Sequence, residues 1–145
     1  MELAFLQPPS ESGGNWSLGT LTPLTGGRSI SGPELVVHRF VLELCTVLNS
    51  VLFLEDRGSP LEFLLGGANV LSERDLFDVF NVSISRMVPT LALEDASGDY
   101  PDDEKFQGAS VNSIHIENGT VSVEFTVLLA SGQSAGLTIP FFLRP

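Results

Sequence analysis

Histidine, cysteine and cationic side chains are all scarce in this 145-residue chain. Two histidines, His38 and His115, and one cysteine, Cys45, leave little from which to build a catalytic or metal centre. A lone cysteine closes no internal disulfide, so the fold is not stapled. Gly-x-Ser-x-Gly elbows, Cys-x-x-Cys pairs, His-Glu-x-x-His runs and phosphate-cradling loops are missing. Gly66-Gly67 lacks the Lys-Ser/Thr that a phosphate loop requires. The expectation is no enzyme, no cofactor and no metal. Seven Lys+Arg against 18 Asp+Glu give a net charge of −11. Such a chain repels phosphate backbones and anionic lipid heads, so neither nucleic acid nor membrane is an expected partner. Proteins are.

Long hydrophobic runs are also short of what a membrane span needs. Residues 125–143 carry no charge, but a turn cluster at Ser131–Gly136 and then Pro140 interrupt them. A hairpin puts those polar groups in water, where a spanning helix would hold them in hydrocarbon. The first nine residues lack a basic start and a long apolar stretch, so no secretory leader is expected. The cytoplasm, or a particle assembled there, is the expected compartment.

What is present centres on residues 111–129. Ile114 and Ile116 alternate with polar neighbours, as do Val121, Val123, Phe125 and Val127. A period of two places one set on each face of a strand. Asn118-Gly119 between the runs is the dipeptide best suited to a type I′ turn. The spacing predicts an antiparallel hairpin with one oily face, which needs further cover to be stable.

The remaining chain can supply that cover. Residues 1–32 hold many Gly, Pro, Ser and Thr, with Leu3, Phe5, Leu6, Trp16 and Leu18 scattered among them. This predicts an extended N-terminal arm lying on its own domain or on a neighbouring subunit. The domain itself is read as residues 33–145. Gly32-Pro33-Glu34 is a helix start. Leu35, Val36, Phe40, Val41, Leu44, Cys45 and Leu48 then recur at helical spacing, with His38, Arg39 and Glu43 on the polar side. Cys45 is therefore expected in the core. Val51–Leu54 and Leu61–Leu65 are short apolar runs separated by a turn. Ser72-Glu-Arg-Asp75 resembles a capping box, and a second helix is expected over 73–87, stopped by Pro89. Thr90–Glu94 is read as a strand, and Asp95–Gly108 as a solvated acidic loop. Within it Asp95, Ser97 and Asp99 alternate like calcium ligands, but Gly98 comes too early and Phe106 stands where a bidentate Glu is required. Leu137–Leu143 is a last strand, placed at an edge by Pro140. The expected class is α+β, two amphipathic helices on a small antiparallel sheet with a C-terminal hairpin.

From Leu35 to Pro140 this order resembles the contractile-tail baseplate wedge subunit, or sheath-initiator, family of myophages and type VI secretion. The resemblance lies in a helix, the Gly58-Ser59-Pro60 turn, the Leu-rich stretch Leu61–Gly67, a helix closed by proline, a strand and a terminal hairpin. The family carries a Glu-Pro-Arg triplet at the end of its second helix. Here Val88-Pro89-Thr90 stands there and only Pro89 matches, with Arg86 one turn back as the replacement cation. The resemblance implies a non-enzymatic virion protein of the tail baseplate, present in several copies in a symmetric particle. It would bind other wedge proteins, tail tube and sheath subunits through Arg86, Pro89 and Thr90. The edge strand (Leu137, Ile139, Phe141) and the arm (Trp16) would add further contacts. A second reading is a soluble adaptor binding a peptide or small ligand between the first helix and the sheet. An enzyme using the Asp95–Glu104 carboxylates is the remotest alternative.

Overall fold

The protein is seen in a computed structural model that describes residues 4–7, 16–20, 31–67 and 72–142. Asn118 and Gly119 take φ of 50° and 79°, as a type I′ turn requires. They join β3 (Phe106–Glu117) to β4 (Thr120–Leu129), with Glu117 opposite Thr120. Strand β5 (Ser134–Phe142) continues the sheet antiparallel to β4, and its register sets Phe125 against Leu137 and Val123 against Ile139. Val121, Val123, Phe125, Val127 and Leu129 are at most 1% exposed. The period-two reading of this face holds. On β3, register shifts after Phe106 and Val111 break the alternation. Ile114 is buried, whereas Ile116 is exposed near the turn.

Two helices cover that face. Helix α1 (Pro33–Cys45) starts after Gly32 at φ 63°, whose N–H donates to Glu104 Oε1 at 2.8 Å. Helix α3 (Glu73–Ser97) is capped by Ser72, whose hydroxyl accepts from the Asp75 N–H at 3.2 Å. Phe40 of α1 and Phe80 of α3 both meet Phe125 edge-on, with centroids 5.5 and 5.7 Å apart. Phe106 and Phe141 extend this row of rings at its two ends. Edge-on contacts of this kind add to the area they bury. Between the long helices lies α2 (Leu61–Gly67), seven residues long. The class is α+β.

Several expectations are corrected. Pro89 does not stop α3; the helix runs to Ser97, and Thr90–Glu94 is helix, not strand. The buried stripe passes straight through the proline, from Leu76, Phe80, Ile84 and Met87 to Leu91 and Asp95. Pro89 itself faces solvent, where water can satisfy the carbonyl it leaves without a donor. Leu61–Leu65 is helical, and Val51–Leu54 is a turn. On α1, Glu43 is buried and Cys45 is exposed, the reverse of the expected faces. Asp95 belongs to the core and not to the solvated loop.

Strand β1 (Ala4–Gln7) pairs antiparallel with β2 (Trp16–Thr20), and β2 runs parallel to β5, giving the sheet order β1-β2-β5-β4-β3. The sequence predicted no strands there. The rest of the expected arm, 1–3, 8–15 and 21–30, lies outside the described residues. Strand β5 is consequently interior where Trp16 and Ser17 pair with Leu137 and Thr138. Pro140 falls beyond the last of those pairs, where β2 asks for no ladder donor.

Candidate functional site

Polar geometry is concentrated where α1, the 46–60 loop and the last turns of α3 meet. Gly58, at φ 95°, sits against the backbone of Thr46 and Val47, so close that an added Cβ would lie 2.6 Å from the Thr46 carbonyl oxygen. Its N–H donates to Glu43 Oε1 at 2.7 Å, and Arg57 Nε donates to Glu43 Oε2 at 3.0 Å. Arg57 also pairs with Glu94. Desolvation alone would lower the Arg57 pKa, but the carboxylates of Glu43 and Glu94 outweigh it and the net shift is upward. A second arginine, Arg39, pairs with the buried Asp95, whose other oxygen accepts the Phe106 N–H at 2.7 Å. Arg39 also lies over the Tyr100 ring, 5.7 Å from its centroid. Both arginines tie the rest of the chain to the stretch of α3 beyond Pro89. Both oxygens of Glu43 and of Asp95 are taken up by these partners, while Glu94 pairs with Arg57 at the surface.

No group of three or more His, Cys, Asp or Glu side chains is placed to hold a metal among the described residues. His115 is exposed, and His38 half-buried on α1. Cys45 is exposed, yet the protein around its sulfur withholds water and pushes the thiol pKa up. A thiol held protonated is a poor nucleophile.

Among the described residues an apolar groove of about 700 Å³ opens between α2 and the outer face of α3. Leu48, Pro60, Phe63 and Leu64 form one wall. Asn81, Val82, Ser85 and Arg86 of α3 form the other. Phe63 is 78% exposed and Val82 55%. Leu48 and Pro60 are the feet of a loop pinched at its base by the hydrogen bond from Leu48 N–H to the Ser59 carbonyl. That loop carries Leu52 and Phe53, 79% and 91% exposed. Phe53 holds φ at 67°, a conformation bulky side chains avoid. Isolated exposed apolar residues are ordinary, but a contiguous set around a groove marks an interaction surface.

The predicted partner residues fall on different surfaces. Arg86 lines the groove, Pro89 is exposed one turn on, and Thr90 is half-buried. Leu137 and Ile139 are fully buried, so these two side chains are core and cannot meet a partner, while Phe141 is half-buried and packs on Phe80 at 5.0 Å. Trp16 stands in β2 opposite Leu137. Val88-Pro89-Thr90 is not the end of the second long helix; the proline after that end is Pro101. Sequence reasoning missed Phe53, Phe63 and Val82, because apolar residues in short runs read as core until the packing shows them unpartnered. Helix α3 is long and apolar enough to pass a membrane-span test, but its buried stripe is committed to the sheet.

No family model matches the chain, and neither curated proteins nor solved structures give a significant match.

Proposed function

We propose that this chain is a non-enzymatic assembly protein that works by docking on other proteins. Its setting is the baseplate of a contractile tail, where it serves as a wedge component that seeds the sheath. The observation that carries the docking role is the exposed apolar surface of Phe63 and Val82 on the two walls of the Arg86 groove, with Phe53 exposed on the loop whose feet, Leu48 and Pro60, also line it. A surface of this kind is costly to leave in water and is normally covered. The baseplate setting is supported by the order of elements: α1, the anchored Gly58-Ser59-Pro60 turn, the Leu-rich α2, the long α3 and the terminal antiparallel strands. In that setting its neighbours are other wedge proteins, tail tube and sheath subunits, in several copies per particle assembled in the host cytoplasm. Phe40 of α1 packs on Phe125 of β4, which favours docking at the outer groove over a ligand held between α1 and the sheet.

Immunogold labelling of contractile particles from the source organism tests the setting. Antibody against the full chain should mark one end of the tail, and a deletion strain should make tubes without sheath. Purified particles free of the chain would overturn it.

A further inference from the structure

We propose that the groove between α2 and α3 takes a basic amphipathic helix of another protein. This deepens the docking role proposed above and does not depend on the baseplate setting. Three observations carry it.

The first is the nature of the walls. Phe63 and Leu64 come from α2 and the whole second wall from α3, so the groove has no strand edge on which an extended peptide could pair. An occupant must satisfy its own backbone, and a helix does so. With Phe63 78% and Val82 55% exposed, a small molecule would leave the walls half in water. A helix laid along the groove covers both.

The second is charge. Exposed carboxylates stand on the elements that build the groove: Glu55 and Asp56 on the loop between Leu48 and Pro60, Glu62 next to Phe63 in α2, and Asp78 one turn before Val82 in α3. None is paired with a described cation, and Arg86 is the one cation in the lining. Lysines and arginines along the edges of an apolar stripe would meet these carboxylates and steer association. A second copy of this chain would bring another net charge of −11 and be repelled. The occupant is therefore a different, basic protein.

The third is the three polar residues of the lining, Asn81, Ser85 and Arg86. Pro89 has no N–H to give the carbonyl of Ser85, a residue of the groove lining one helical turn earlier. That acceptor and the Asn81 side chain suit a donor-bearing side chain. Arg86 suits the C-terminal carbonyls of an incoming helix, which carry about half a negative charge.

The test uses the full chain and a fluorescein-labelled Leu/Lys peptide with leucines at helical spacing. Two controls are a scrambled peptide of equal composition and the same pattern with Glu for Lys. Fluorescence anisotropy should show the patterned basic peptide binding at least tenfold more tightly than either control. A Phe63→Ser, Val82→Glu double variant should lose that tenfold preference while keeping its melting temperature, because both positions are exposed. Equal binding of patterned and scrambled peptides, or an unchanged double variant, would overturn the proposal. So would concentration-dependent dimerisation in sedimentation that the double variant abolishes, since that would put a second copy in the groove. Failure here with correct labelling of tail particles would leave the baseplate setting intact, and the reverse result would separate the two the other way.

Discussion

Arg57 joins three separate parts of the chain: its own loop, Glu43 of α1 and Glu94 of α3. Glu43 is 4% exposed and without Arg57 would keep only the Gly58 N–H as a described partner. An uncompensated buried charge is worse than no charge. Arg57→Ala should therefore cost roughly 2–3 kcal/mol in urea unfolding, less than a fully enclosed pair because Arg57 reaches solvent. Glu43→Gln, which keeps an acceptor for Gly58, should cost less than Arg57→Ala. The reverse order would mean that Arg57 matters only through its aliphatic stem. Neither partner of this arginine could be named from sequence. Glu43 lies on what looks like the polar side of α1, and only the returning loop turns that side inward.

At the scale of elements, α3 shows one rule overruled by another. A proline biases the preceding residue away from helix and removes a backbone donor, which predicts a stop. Burial of Leu91, together with the ion pairs at Glu94 and Asp95, holds the helix for two turns more. Pro89 can be tolerated because it faces solvent. Pro89→Ala should then raise stability by about 1–2 kcal/mol. This is less than the ~3 kcal/mol of an interior proline, because the ring also restricts the unfolded chain. Chemical denaturation of the two proteins checks this; a lower midpoint in the variant would show that Pro89 ends the helix. Met87, Leu91 and Asp95 continue the stripe at helical spacing, but with a proline between them and an acid in the last place the sequence reads as a helix ended before Pro89. The Arg39 partner that makes such a place acceptable comes from 56 residues away.

For the whole molecule, β5 changes role. Read as an edge, its removal would spoil assembly and leave the domain standing. Enclosed between β4 and β2, with Leu137 and Ile139 at 0% and 1% exposure, it is part of the core. Deleting residues 134–145 should abolish cooperative thermal unfolding and near-ultraviolet circular dichroism. A deletion protein that still melts cooperatively would return β5 to the edge. Docking on other proteins must then use a surface that leaves β5 in place, and the groove beside Arg86 is one.

What the amino-acid sequence determined by itself was local. The Asn118-Gly119 turn, the inward face of β4, the Ser72 cap and the Pro33 helix start depend on neighbours within a few residues, where φ preference and periodicity act directly. The tertiary structure decided which apolar residues are core. Leu137 and Phe53 are both large hydrophobic residues, but one is buried opposite Phe125 of β4 and the other meets water. It also decided how far α3 runs and which acids are buried, because those outcomes depend on partners distant in sequence. The groove belongs to this second group: its walls come from segments about 20 residues apart, brought together by the Gly58 turn and the packing of α2 on α3.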